Sequence, residues 1–318
     1  MVQTVSVAMS TLKRIQNGLL GRLRRGASPV INRLEKPLYA HKILSTKKCR
    51  LPDFICIGAM KAGTTWLYEN MRCHPEIYVP DRKEDYFFSY EFYKRSLRQY
   101  SLRFSHGDSC VKGEITPGYG ILEVDRIRFI RSVMPDVKLI LLLRDPIYRA
   151  WSEACMNLAI KKQRKIEEVS RQEFLDYFNS GPFQQRSDYV TILDNWLSVF
   201  PRQRLFLGLY EDIETSAQEL LRGILTHLGV SVEIDMSSFP LNAVILPKYE
   251  DYGGVHRGSP DQDHIRSDVS LPDEYREFLV KRFGKQVEPL NERFGLPVER
   301  WSCGTRDERR VKSAYFDR

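Results

Sequence analysis

Two segments of this 318-residue chain combine residue types that hold phosphate. The first reads Phe54-Ile-Cys-Ile-Gly58-Ala-Met-Lys61-Ala-Gly63-Thr64-Thr65-Trp66. An apolar run enters a glycine-bearing turn and then a helix-forming stretch. Glycines let the backbone approach a ligand, and N–H groups at a helix N-terminus favour an anion. Lys61 adds a point charge, and Thr64 and Thr65 add hydroxyl donors. The spacing is not GxxxxGK[ST], because the lysine precedes the second glycine. The second segment reads Lys138-Leu-Ile-Leu-Leu-Leu143-Arg144-Asp145-Pro146-Ile-Tyr148-Arg149-Ala-Trp151-Ser152. Its apolar run ends at Arg144, Asp-Pro opens a helix, and Ser152 falls on the second turn. A guanidinium and a hydroxyl so spaced can converge on one phosphate. Asp145 also admits a kinase-type magnesium site, but Arg144 would set a cation beside that metal.

Together the motifs resemble the sulfotransferase family that uses 3′-phosphoadenosine 5′-phosphosulfate (PAPS). Lys61-Ala62-Gly63-Thr64-Thr65-Trp66 is similar to that family's 5′-phosphosulfate loop. Arg144 and Ser152 are similar to its 3′-phosphate pair. The resemblance implies donor contacts from these eight residues, 3′-phosphoadenosine 5′-phosphate as product, and no metal. Trp66 reads equally as a ring stacked on adenine or as core. His256-Arg257-Gly258 resembles the family's loop over the 3′-phosphate and adds Arg257. Tyr189 is a further candidate for the donor side.

Sulfuryl transfer to a hydroxyl or amine needs a base for the acceptor's proton and cations for the leaving phosphate. Glu84 is the candidate base and Lys61 the candidate leaving-group cation, while Lys83 can support either. Lys83, Glu84, Phe87 and Phe88 match the family's carbohydrate-modifying branch. A solvated charge run over Asp81–Asp85 is the plainer alternative. His74 is read as structural. Gly113-Glu114-Ile115-Thr116-Pro117-Gly118-Tyr119 resembles a segment beside the acceptor, with Ile115 where heparan-type enzymes carry lysine. Glu114 reads as an acceptor contact or as a supporting carboxylate. Tyr86 and Phe87, with Phe88, Tyr90, Phe92 and Tyr93, form an acceptor wall or a core.

The elements that must position these residues alternate along the chain. Continuous apolar runs predict buried strands at Phe54–Gly58, Val111–Ile115, Lys138–Leu143 and Arg204–Tyr210. Helices are expected over Thr65–Met71, Val124–Met134, Tyr148–Ile160, Ile213–Leu228 (stopped by Gly229) and Pro272–Phe294. The alternation predicts an α/β fold, a three-layer α/β/α domain with a central parallel sheet and a P-loop-like phosphosulfate loop. The domain is expected over residues 51–302, between an arm (1–50) and a tail (303–318). Residues 230–272 read as a long loop.

Net charge is +8, and its placement matters. Residues 1–50 hold eleven basic side chains and one acid, Glu35. Met9, Leu12, Ile15, Leu19 and Leu23 form one helical stripe, with the charges opposite. Residues 9–25 therefore suit an anionic membrane surface; docking on the body and organelle targeting are the competing readings. No apolar window reaches ~18 residues, so no transmembrane helix is expected, nor does the N-terminus read as a secretory signal. The six cysteines lack zinc spacing and suit a cytoplasmic protein, peripheral on a membrane. The expected activity is sulfuryl transfer to a glycan, lipid headgroup or small molecule, with no nucleic-acid partner. The alternatives are a P-loop kinase or NTPase, and a non-enzymatic membrane or polyanion binder.

Overall fold

Five short runs of apolar residues pair into one parallel sheet in the computed structural model, which describes residues 29–106, 110–242 and 270–301. The strands β1 (Phe54–Gly58), β2 (Ile77–Tyr78), β3 (Val111–Ile115), β4 (Lys138–Leu143) and β5 (Leu205–Leu209) lie in the order β2-β3-β1-β4-β5. Phe54 pairs with Gly113 on one side and with Lys138 on the other, and Leu139 pairs with Leu205. All of β1 and all but the first residue of β4 are buried. That is the pattern of strands covered on both faces, and it explains their unbroken apolar runs.

Parallel neighbours need crossovers, and helices supply them. In chain order the helices are α1 (Pro29–Ala40), α2 (Thr64–Cys73), α3 (Leu97–Ser101), α4 (Val124–Val133) and α5 (Pro146–Leu158). There follow α6 (Arg171–Phe178), α7 (Gly181–Ser187), α8 (Tyr189–Leu197), α9 (Glu211–Thr215), α10 (Ala217–Leu228), α11 (Asp273–Phe283) and α12 (Val287–Phe294). β1 leads toward β2 and β3, whereas β4 leads the other way to β5. The winding reverses between β1 and β4, and such sheets hold ligands outside the carboxyl ends of that strand pair. Both phosphate-type motifs begin there.

The α/β class and the four expected strands agree with the sequence reading, and the two-residue edge strand β2 is an addition to it. Two helical expectations are refined, and a stretch for which no helix was expected is helical too. The stretch over 213–228 is two helices, broken at Ser216, and Gly229 ends the second at φ 77°. The stretch over 272–294 is two helices joined by a tight turn at Gly284–Gln286. The stretch from 171 to 197 forms three helices, of which Ser170 and Asp188 cap the first and last. These helices and α11 wrap an aromatic cluster around α5. The Trp151 ring lies 5.1 Å from Phe174 and 5.6 Å from Tyr275.

The folded body also reaches further toward the N-terminus than Leu51. Helix α1 docks on the segment before α3. Asn32 donates to the Lys94 carbonyl at 2.7 Å, and Lys36 to the Arg95 carbonyl at 2.9 Å. Glu35 accepts the Leu97 N–H at 2.8 Å. Lys36 is 3% exposed and sits over the Phe87 ring at 4.5 Å. This lysine of the basic arm is therefore spent on the fold. Residues 9–25, the tail after 302 and the loop carrying Arg257 lie outside the described residues. Lys36→Ala loses a charged hydrogen bond and a cation–π contact. It should destabilise the protein by about 1.5–3 kcal/mol, read as a lowered midpoint in thermal or urea unfolding.

Candidate active site

The chain leaving β1 turns through the left-handed region at Lys61 (φ 66°) and Gly63 (φ 84°). At Gly63 the φ favours glycine, and a Cβ would lie 2.3 Å from Ile213 Cδ1 of α9, so that side chain would have to shift. A left-handed lysine costs on the order of 1–2 kcal/mol and persists only where its surroundings fix it. The Lys61 ammonium rests on Met156 Sδ of α5 at 3.8 Å. Among the described residues no carboxylate pairs with it. Burial pushes its pKa down to about 8, and Arg144 and Lys83 push the same way. Gly63 begins α2 without a side-chain cap, which leaves first-turn N–H groups directed at the same crevice. Thr65 is half-buried on that turn, and Thr64 is buried.

Arg144 follows β4 and closes the crevice from the other side. Its Nη1 donates to the Lys61 carbonyl at 3.3 Å, and its guanidinium lies over the Tyr210 ring at 4.3 Å. Tyr189 donates to the Arg144 carbonyl at 2.9 Å. The Asp145 N–H donates to Glu211 Oε1 at 3.0 Å. Ser152 lies half-buried on α5. The kinase reading loses its metal ligand, because Asp145 is 4% exposed and caps α5 by accepting the Ile147 N–H at 2.8 Å.

The Lys83-Glu84 pair reaches the donor loop. Lys83 Nζ lies 3.3 Å from Thr64 Oγ1 and 3.0 Å from Glu84 Oε1. Tyr86 donates to the other Glu84 oxygen. Glu84 and Tyr86 both adopt left-handed backbone, φ 64° and 59°. The run from Asp81 to Asp85 is therefore not simply solvated. Asp85 is buried, and Arg95 and Arg103 bind its carboxylate.

Several expected contacts fall elsewhere. Trp66 is 3% exposed and its indole N–H donates to the Leu241 carbonyl at 2.8 Å, so it is a core ring rather than a stacking face. Phe87 is fully buried, stacked on Tyr100 with centroids 4.4 Å apart, and offers no acceptor wall. The Ala62 side chain is fully buried and its N–H is already bonded to the Ala59 carbonyl. Glu114 is also withdrawn from the crevice, at 3% exposure. It accepts from Tyr100, from Tyr119 at 2.7 Å and from Thr116 at 2.8 Å. Burial and the nearby Asp85 raise its pKa to about 7. His74 is structural. Its Nδ1 accepts the Glu76 N–H at 3.1 Å, so the proton sits on Nε2, which donates to the Ser231 carbonyl at 2.9 Å.

One participant had no functional signal in the sequence. Tyr210 lies against Arg144 from a different strand end, far along the chain. A tyrosine after a strand does not announce such a partner.

The geometry can hold an anion between the β1 and β4 loops with a carboxylate at its edge, and known proteins carry the same arrangement of elements. A family model described as the sulfotransferase domain matches residues 51–242. The mouse protein heparan sulfate glucosamine 3-O-sulfotransferase 6 is 30% identical over 263 residues, 77% of this chain and 71% of that protein. The membrane-associated sulfotransferase kil1 of Dictyostelium discoideum is 34% identical over 119 residues, 36% of this chain but a quarter (25%) of its own length. Human heparan sulfate glucosamine 3-O-sulfotransferase 3B1 is 31% identical over 182 residues, 54% of this chain and 45% of that protein. A solved sulfotransferase from Alicyclobacillus acidocaldarius shares the fold, with TM-score 0.58 at 21% identity over 79% of this chain and 98% of that one. The family match covers more than half of the chain and includes Lys61, Glu84, Arg144 and Ser152. The chain belongs to the sulfotransferase domain family.

Proposed function

We propose that this protein transfers a sulfuryl group from PAPS to a hydroxyl or amine of a glycan. The observation that carries this reading is the half-buried Lys61 ammonium in a loop that Arg144 and Lys83 both bond, with no ion pair to a carboxylate among the described residues. A site so charged is costly until an anion enters it. PAPS fits this donor set, and bound there it would supply the sulfuryl group on its 5′-phosphate. Lys61, Gly63, Thr64, Thr65 and the first turn of α2 hold the phosphosulfate end. Arg144 and Ser152 hold the 3′-phosphate, and we add Arg257 on family resemblance alone. Tyr210 and Tyr189 orient Arg144, one under its guanidinium and one on its carbonyl.

Glu84 takes the acceptor's proton. Lys83 fixes one carboxylate oxygen and touches Thr64, so base and donor loop are tied together. Tyr86 fixes the other oxygen and stands nearest the acceptor. Lys61 balances charge on the phosphate oxygen as the sulfuryl group departs. The glycan class rests on the Lys83-Glu84 motif and on the relatives named above; Ile115 argues against copying the heparan preference outright. Residues 9–25 support peripheral contact with an anionic membrane. Five unpaired cysteines among the described residues fit a cytoplasmic setting. No described helix is long and apolar enough to cross a membrane.

Three outcomes are expected. Arg144→Ala should weaken 3′-phosphoadenosine 5′-phosphate binding by about 1.5–3 kcal/mol, or roughly 10- to 150-fold, by calorimetry; unchanged affinity contradicts the assignment. Glu84→Gln should keep that affinity and lose turnover by about 10²–10⁴-fold. The assay is labelled PAPS with a panel of N-sulfated heparan, chondroitin and galactosyl lipid; full activity on any of them removes Glu84 as base. A bound anion favours the ammonium form of Lys61. Bisphosphate affinity should therefore fall as pH rises through about 8, with proton uptake on binding near that pH. Calorimetry in buffers of different ionisation heat reads that uptake, and a flat profile from about pH 7 to 9.5 contradicts it.

A further inference from the structure

We propose that Glu114 is the positioning residue of the catalytic loop, holding Glu84 in place through the hydroxyls of Thr116 and Tyr119. The inference rests on the reading of Glu84 as the base.

Glu114 lies near the end of β3 and has no cationic partner among the described residues. A carboxylate buried that way must be satisfied by hydrogen bonds. Three hydroxyls do so, those of Tyr100, Tyr119 and Thr116. A free hydroxyl can rotate and either donate or accept. With its proton committed to Glu114, each oxygen can only accept from other groups. Thr116 Oγ1 accordingly accepts the Asp85 N–H at 3.0 Å. The Tyr119 hydroxyl accepts the Phe88 N–H at 3.2 Å. The carboxylate thus turns two rotors into fixed acceptors.

Those two N–H groups flank Tyr86, and the first belongs to the peptide that joins Glu84 to Asp85. Glu84 precedes Asp85, and Tyr86 lies between Asp85 and Phe88. Glu84 and Tyr86 are the left-handed residues of this loop, φ 64° and 59°. Such backbone relaxes unless its neighbours over-determine it. Lys83 anchors the loop on the donor side through Thr64. Asp85 is tied by Arg103 Nε at 2.9 Å and by Arg95. The Glu114 relay supplies the main-chain anchors. It therefore sets where the Glu84 carboxylate stands relative to Lys61, although Glu114 does not enter the crevice.

The test compares Glu114→Leu, Thr116→Val and Thr116→Ser in the full chain. Thr116 and Tyr119 both donate to Glu114 Oε1, and Glu114→Leu removes both carboxylate oxygens at similar volume. Thr116→Val cuts the Asp85 link while keeping side-chain shape. Hydrogen exchange at the Asp85 and Phe88 amides should quicken at least tenfold in Glu114→Leu. At Asp85 alone it should quicken in Thr116→Val. Affinity for 3′-phosphoadenosine 5′-phosphate should stay within about twofold. On whichever panel glycan the wild type sulfates, kcat should fall at least tenfold in both variants, with donor KM unchanged. Thr116→Ser should restore kcat and protection. Faster exchange with wild-type kcat overturns the positioning role, as does wild-type exchange in either variant. If Glu114→Leu fails to fold, the Thr116→Val and Thr116→Ser pair decides alone. Full activity of Glu84→Gln would instead strike the base assignment, while the exchange data would still report on the clamp.

Discussion

Like charges brought together in a half-dry crevice set the terms for everything around them. Lys61, Lys83 and Arg144 converge where β1 and β4 end, and the two that flank Lys61 lower its pKa. The fold gives each flanking cation a local partner and sets no carboxylate in an ion pair with Lys61 among the described residues. Arg144 is laid on an aromatic face and a carbonyl. Lys83 takes Glu84. What remains is a lysine whose charge costs free energy until an anion arrives. That unfavourable balance is what a site for a phosphosulfate needs, because the binding energy is realised only with the ligand present.

The surrounding architecture serves this balance. A left-handed Lys61 and a Gly63 pressed against Ile213 fold the loop back over the sheet. The Asp145 cap and the Tyr189 contact fix the other wall. A second set of charges on α5 is paired. Arg149 and Glu153 are both buried, 2.5 Å apart, and Arg186 and Tyr177 complete the carboxylate's partners. Buried charge with partners rigidifies a helix; buried charge without them waits for a ligand. The two networks show that contrast within one helix's surroundings.

Much of this was legible in the sequence, for physical reasons. Strands covered on both faces write themselves as unbroken apolar runs, so β1 and β4 could be bounded to the residue; β3 was bounded as well, although Lys112 and Glu114 interrupt its run. The β1 loop and the Arg144 segment announced phosphate because glycine, lysine and hydroxyl spacing follow from what a small anion demands. The roles of aromatic and acidic residues beside the acceptor were not legible. Tyr86, Phe87 and Phe88 are consecutive, and no periodicity in an irregular loop says which ring turns inward; Phe87 and Phe88 did, and Tyr86 did not. Trp66 is held by a carbonyl 175 residues away, a contact with no local trace. Glu114 read as an acceptor contact or a supporting carboxylate, because a lone acid near a strand end does not reveal that three hydroxyls enclose it. Helix α1 was hidden by its charge: Lys36 reads as arm, yet it is buried over Phe87 and Phe92.

The central claim is that the crevice between β1 and β4 is built for a nucleotide bisphosphate without metal. Its most direct test is calorimetric competition on the wild-type protein between 3′-phosphoadenosine 5′-phosphate in chelator and ATP with magnesium. Tight binding of the bisphosphate, unaltered by chelator, is expected, with ATP–magnesium at least tenfold weaker at the same site. Equal or tighter binding of ATP–magnesium, or a bisphosphate that binds only when magnesium is supplied, would contradict it.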